Sequence, residues 1–433
     1  METQQASQVA PYADFVHTGP GTLAGRYLRG FWQPICLSAE LPPSRAVPIR
    51  IMGEDFTLYR GQVTGDRLQG DRGQETGPRP SPLPEGEGTD GAGEGTSQLS
   101  TQHSVLSTAA PHLVAFRCAH RGTQLSTGWV EGDDLRCFYH GWKYNADGQC
   151  IEQPAEPEPF CSRIKIRSYP VQEYLGLIFA YLGDGQPPQP PRYKLFEREG
   201  PLKAVKQALG CNYFSRVDNS ADPVHTKFVH RWPDYERYGL VGIPTISADE
   251  QPWGLSTYIN WPGWPADEID VHHLLMPNGL MNRIYNGDHL SWQVPIDDES
   301  HINFGVTRED VALDSSPAWR REAHANRGEG DAGARASEHG EAVLAGARSI
   351  ADLMAPGGVS MTERFNLQDH IAQVGQGRVA DRDAERLGRT DVGVALLRRL
   401  WLRELCAFAE NQPVKRWMAD EVGLKEWGGR GDR

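Results

Sequence analysis

Cys118-Ala119-His120-Arg121-Gly122 and, beyond residues 123–136, Cys137-Phe138-Tyr139-His140-Gly141-Trp142 decide how this chain is read. Two cysteines and two histidines stand in two short segments, and Gly122 and Gly141 follow the histidines where the chain must turn tightly. Two thiolates and two imidazoles suit two kinds of site. A structural zinc takes all four on one ion, in a tetrahedron. A [2Fe–2S] centre instead takes the cysteines on one iron and the histidines on the other, and the neutral imidazoles raise its potential. The spacing and the flanking glycines favour the second.

The wider text, CAHRGTQLSTGW at 118–129 and CFYHGWKYNADGQC at 137–150, resembles the Rieske domain of ring-hydroxylating oxygenases. By that resemblance Cys118, His120, Cys137 and His140 hold a [2Fe–2S] cluster. Respiratory and photosynthetic Rieske proteins carry one further cysteine per loop, joined as a disulfide, and neither position is cysteine here. Cys36, Cys150, Cys161, Cys211 and Cys406 are scattered and are expected as free thiols of a reducing compartment. A bridge-less cluster falls low in the Rieske range, roughly −150 mV. It would take electrons from a flavin/iron–sulfur reductase or a ferredoxin.

A second constellation follows: Asp218-Asn219-Ser220-Ala221-Asp222-Pro223-Val224-His225, then Thr226-Lys227-Phe228-Val229-His230. Two histidines five apart on a helix project to nearly one face. They can supply two ligands of a two-His, one-carboxylate facial triad, which leaves positions open on non-haem Fe(II). The carboxylate stays ambiguous from the residues alone. Asp297, Asp298, Asp314, Asp352, Glu363, Asp369, Asp381 and Asp383 all lie downstream, and most such acids are solvated. The arrangement around His225 and His230 resembles the catalytic motif of Rieske oxygenases. The later stretch Asn366-Leu367-Gln368-Asp369-His370, with Gln376-Gly377, Asp381-Arg382, Glu385 and Leu387-Gly388, resembles phthalate dioxygenases and dehydrodivanillate O-demethylases. That resemblance implies Asp369 as third ligand, with His370 pointing elsewhere. It also implies that Asp222 does not bind iron but bridges His225 to His120 or His140 of a neighbouring subunit. An imidazole ligand has a spare N–H that needs such an acceptor. Asp218 is expected to support the site or merely to neighbour it.

Hydrophobic content of 39% and twelve tryptophans allow sizeable cores, and the 433 residues allow two or three domains. A net charge of −13, from 44 basic and 57 acidic residues, argues against nucleic acid. The chain shows neither an eighteen-residue apolar run nor a secretion signal, so a cytoplasmic protein that does not enter the membrane is expected. Residues 1–28 read as an N-terminal segment, 29–192 as the Rieske domain and 193–433 as the catalytic domain. Within the second, 47–52 and 55–59 alternate as strands of a small antiparallel barrel, 177–182 reads as a closing buried strand, and the proline-rich 185–191 as a stiff linker. The aromatic-free, Gly/Pro/Ser/Glu-rich stretch 65–110 reads as a disordered insertion within the hairpin joining 58–60 to 113–116. In the catalytic domain 271–276 and 290–295 read as strands, with His272, His273, His289 and His301 packed or at the surface rather than ligating. Residues 326–341 read as a polar surface loop or a mobile loop over the active site, and 392–410 as a packing helix capped by Thr390-Asp391, with Arg398, Arg399 and Arg403 on its wet face.

The fold class that emerges is α+β, an all-β Rieske domain followed by a catalytic domain whose antiparallel sheet is flanked by helices. The resemblance implies a terminal oxygenase subunit that uses O2 and supplied electrons, through the [2Fe–2S] cluster and mononuclear Fe(II), to hydroxylate or O-demethylate a small aromatic substrate. It also implies a homotrimer. The rivals are a Rieske monooxygenase of a sterol-like or non-aromatic substrate, an inactive Rieske electron carrier, and a structural zinc protein.

Overall fold

The computed structural model describes residues 14–62, 109–230, 242–264, 269–284, 287–309, 332–355, 358–419 and 422. Three small antiparallel sheets form the N-terminal lobe. One carries Ala46–Ile51, Glu54–Arg60, Pro111–Ala115 and Ser168–Tyr169; a second carries Gln33–Leu37, Leu177–Ala180 and Val171–Tyr174. A third, Trp129–Glu131, Asp134–Arg136, Lys143–Tyr144 and Cys150–Glu152, holds the two cysteine–histidine segments at its end. The expected hairpin closes in register, Leu58 opposite Leu113 and Thr57 opposite Val114. Of the expected 65–110 insertion, 65–108 lies outside the described residues. Its far end is corrected: Ala109 is buried and its carbonyl accepts from Arg60 Nη1 (3.2 Å). A chain end pinned to a buried guanidinium belongs to the strand rather than to a solvated loop.

A larger antiparallel sheet organises the second lobe. Among the described residues its order is Leu202–Leu209, His301–Glu309, Gly287–Pro295, Gly279–Ile284, Asp270–Leu275, Gly254–Asn260, Thr245–Gln251. Strand alternation divides its two faces. Leu290, Trp292, Val294, Phe304 and Val306 are buried toward the N-terminal lobe, where Phe179 meets Trp292 edge-on at 5.3 Å. The opposite face carries His289, Ser291, Asn303 and Thr307, and also His301, whose Nδ1 meets the Cys211 carbonyl (2.7 Å) just ahead of the helix Tyr213–Ser220. His273 pairs with Ser256 (2.7 Å) and His289 with Thr307 (3.2 Å), so the sheet histidines are packed as expected.

The lobes share one core. Met52 and Gly53 donate their backbone N–H groups to the carbonyls of Pro295 and Ile296, and Asn278 Nδ2 donates to Gln33 Oε1 (2.9 Å). The helix Val392–Ala409 drives Trp401 fully inside, among Phe15, Tyr27, Tyr213 and Phe214, with its indole N–H on the Pro277 carbonyl. Truncating it to alanine would cost roughly 3–5 kcal/mol.

Two expectations need correcting. The polar stretch 326–341 is no loop from 332 on: Ala332–Leu344 is a helix packed against the helix Met361–Val374, and 326–331 lies outside the described residues. Its alanines and glutamates are good helix formers, and tertiary packing completes what its short apolar pattern leaves open. Arg398 is not on a wet face but bonds Asp218 (2.7 Å) and Glu385 (2.6 Å). Arg399 and Arg403 are exposed as expected, Arg403 in ion pairs with Glu250 and Glu404. Periodicity marks the apolar stripe of a helix, not which acids arrive from elsewhere.

Candidate active site: two metal-binding constellations

The two N-terminal segments are built alike. In each, the cysteine carbonyl accepts from the backbone N–H of a glycine four residues on, Gly122 (2.9 Å) and Gly141 (3.1 Å). Both glycines have positive φ, +75° and +74°, which a side chain would make costly. A side chain at Gly141 would also meet Pro154 at 2.8 Å. The turns carry Cys118 and Cys137 inward, both nearly fully buried, and set the His120 and His140 rings 4.5 Å apart. Trp142 stacks on His120 at 4.6 Å. Tyr144 Oη accepts from the Ala119 N–H (3.1 Å), which leaves its own proton for Cys118 Sγ (3.2 Å). Burial pushes the Cys137 thiol up, and Cys118 beside it adds to that, a state in which only a bound cation makes the thiolates favourable.

This quartet fits a two-iron cluster and does not fit one zinc. Ligands of a single zinc lie within about 4 Å of one another. Among the described residues, three metal-binding side chains bring ligand atoms within 4.8 Å of each other at one place only, and it lies elsewhere. The thiols pair, the imidazoles pair, and the His120 Nδ1 is buried without a hydrogen-bond partner, an acceptor waiting for a cation.

That other place is His225, His230 and Asp369. The expected single helix across both histidines does not form. The helix Tyr213–Ser220 stops at Ala221, and His225–Phe228 is one separate turn. Pro223 disfavours a helical Asp222, whose Oδ1 instead accepts from the Val224 N–H (3.0 Å). The kink does not scatter the ligands: the rings of His225 and His230 stand 5.5 Å apart. His225 Nδ1 meets the Asp222 backbone carbonyl, and His230 Nδ1 meets Gln368 Oε1 (3.1 Å). Those acceptors hold each Nδ1 protonated and turn each Nε2 lone pair inward. Facing them is Asp369 Oδ1, 3.3 Å from His230 Nε2 and 3.8 Å from His225 Nε2, buried and without a hydrogen-bond partner. An orphaned carboxylate oxygen between two imidazole lone pairs fits a divalent cation. Burial opposes the Asp369 charge, but Arg216 outweighs it and holds the carboxyl far below its usual range; burial also lowers His225, keeping it neutral.

The other sequence candidates stand apart from this group. Asp298 accepts from the Thr18 N–H, Asp297 closes a turn on Ser300, and Glu363 donates its N–H to the capping Ser360 while its carboxylate meets His339. Asp381 closes a turn on Asp383 and Ala384, and Asp352 lies in the first turn of its helix; Asp314 lies outside the described residues. His370 points away, buried, toward Glu341 (3.4 Å). Asp218 is no ligand either: it is buried between Arg382 and Arg398, fixing the helix before the metal site to the end of the chain. Sequence reasoning missed Arg216, Gln368 and Tyr144. Gln368 and Tyr144 both lie in the stretches quoted for the resemblance, whereas Arg216 carried no sequence signal.

Residues 88–171 match the model of the Rieske [2Fe-2S] domain. The chain is 28% identical over 423 residues to the oxygenase subunit of 5,5'-dehydrodivanillate O-demethylase from a Sphingobium strain, covering 93% of this chain and 81% of that one. It is 27% identical over 448 residues to the oxygenase subunit of a tert-butanol monooxygenase / tert-amyl alcohol desaturase from Aquincola tertiaricarbonis, covering 93% and 78%. The terminal oxygenase of carbazole 1,9a-dioxygenase from Novosphingobium sp. KA1 shares the fold at a TM-score of 0.57 and 18% identity, over 95% of this chain and 96% of that one. A cluster-binding lobe thus stands ahead of a mononuclear metal pocket in a chain that carries a Rieske [2Fe-2S] domain and is similar over most of its length to proteins named as oxygenase subunits.

Proposed function

We propose that Cys118, His120, Cys137 and His140 hold the cluster, that His225, His230 and Asp369 hold the mononuclear iron, and that the enzyme hydroxylates or O-demethylates a small aromatic substrate. The observation that carries this is the buried, unpartnered Asp369 Oδ1 set against two imidazoles whose Nδ1 positions are already taken. When bound, the cluster relays single electrons from a reductase or ferredoxin, and the iron activates O2 in its open positions. The chain's own residues do the rest. Asp222 orients His225 through its carbonyl, while its Oδ2, 3.9 Å from the same ring on a side chain 28% exposed, can accept from an imidazole of a neighbouring subunit. Such a bridge fits a head-to-tail contact that closes into a ring, and a homotrimer is the ring proposed here. Tyr144, donating to Cys118, stabilises charge on that sulfur and raises the potential.

An aromatic substrate is supported by the similarity to a demethylase of an aromatic acid, and the main rival by the similarity to an enzyme named for tert-butanol. Purified protein with a surrogate reductase, assayed on phthalates, methoxylated aromatic acids and tert-butanol, decides between them. Formaldehyde released from a methoxylated arene supports demethylation; turnover of the alcohol alone refutes the aromatic reading.

A further inference from the structure

Asp369 offers its two oxygens to different partners. Oδ1 faces His225 and His230 and has no hydrogen bond, whereas Oδ2 accepts from Arg216 Nη1 at 2.7 Å. The pair is mostly buried, Arg216 at 21% and Asp369 at 15% exposure, so water competes poorly for either group. Arg216 comes from the helix Tyr213–Ser220 and Asp369 from the helix Met361–Val374. Both elements are anchored independently. Asn212 caps the first on Phe214 N–H and is itself tied to the Val16 and Asp298 carbonyls; Ser360 caps the second on Glu363 N–H. The guanidinium therefore does not simply follow the carboxylate.

We infer that Arg216 is a positioning residue that reserves Asp369 Oδ2 for itself, so that the carboxylate meets its metal through Oδ1 alone. This rests on the reading of His225, His230 and Asp369 as the metal ligands. A carboxylate free to turn can chelate with both oxygens, as carboxylates do for many hard cations. Chelation would use one more coordination position at a site whose chemistry needs open ones. Holding Oδ2 keeps that position free without adding any ligand. Arg suits the task better than Lys, because its planar fork fixes direction as well as charge.

Cobalt(II) in the mononuclear site of the cluster-containing protein tests this, because cobalt-edge X-ray absorption is blind to the cluster irons. Wild type should show one carboxylate oxygen and a strong pre-edge, the sign of an under-coordinated ion. R216Q, whose neutral and shorter amide falls short of Oδ2, should gain one oxygen scatterer and lose pre-edge intensity, while R216K, which keeps a charged donor on a long stem, stays near wild type. An R216Q spectrum identical to wild type overturns the inference, because a merely structural ion pair would leave coordination unmoved. The cluster EPR signal of each sample reports whether the variant is folded. Should R216Q fail to fold, a crystal structure of cobalt-loaded wild type decides: both Asp369 oxygens on the metal refute the inference, and Oδ2 still on Arg216 supports it. Cobalt retained by H225A would instead refute the ligand assignment beneath it.

Discussion

The cluster site and the mononuclear site are built by opposite strategies. Each cluster loop closes on itself within five residues, a cysteine carbonyl accepting from a glycine N–H, so its geometry is local. The mononuclear site joins chain positions far apart: Arg216 to Asp369 across 153 residues, His230 to Gln368 across 138. The first is positioned by backbone turns and the second by side chains that hold other side chains. Damage to the second should therefore be graded, according to how many links separate the altered residue from the metal.

The largest effect expected on that side is at the ligand itself. Asp369→Ala should abolish turnover and most mononuclear metal binding while the cluster signal persists, since a facial triad has a single carboxylate. Full activity in that variant, with metal lost instead in Asp298→Ala or Asp383→Ala, would move the ligand elsewhere.

One link further out, Asp218→Ala leaves Arg382 and Arg398 facing each other in a mostly buried site. Breaking such a pair costs about 3–5 kcal/mol. Urea unfolding should show that loss in stability; a shift below about 1 kcal/mol would make the network a surface pair in effect.

Gln368→Leu removes the acceptor that holds His230 in its tautomer. Metal affinity should fall by about 10–100-fold with the cluster unchanged. Equal affinity would mean that the ring is positioned by its packing against Phe365, 4.5 Å away.

A smooth effect, spread over the whole fold rather than tied to the metal, is expected with pH. Burial pushes His273 and His301 down to about 4, with the Cys211 carbonyl opposing the shift at His301. The unfolded chain binds those protons near pH 6.5, the folded chain only near 4. Stability from both is therefore complete above about pH 6.5 and is lost as pH falls toward 4, by up to about 1.4 kcal/mol per pH unit for each histidine. Denaturant midpoints flat from pH 7 to 4.5 would contradict this.

The contrast also explains what the sequence could reveal. Cysteines, histidines and turn glycines of the cluster lie within a few residues of one another, so their spacing alone proposes the site. The pairing of Leu58 with Leu113 was legible because alternation resumes on both sides of the intervening stretch. His225 and His230 were legible as a pair although the helix assumed for them is broken at Pro223, since any tight turn keeps residues five apart close together. Asp369 was one of eight acids until a resemblance selected it, because nothing in the residues themselves tells a buried carboxylate from a solvated one. Arg216 carried no signal, as its role depends wholly on a helix that arrives much later in the chain.

The central claim is two independent iron sites on one chain, and metal analysis paired with EPR of the dithionite-reduced protein tests it most directly. Wild type should bind about three irons per chain, two in the cluster and one alone, and show a rhombic Rieske signal. His225→Ala should lose about one iron and keep that signal, whereas His120→Ala should lose the signal and keep the mononuclear metal. Zinc in place of iron after anaerobic reconstitution, or loss of the Rieske signal in His225→Ala, would contradict the account.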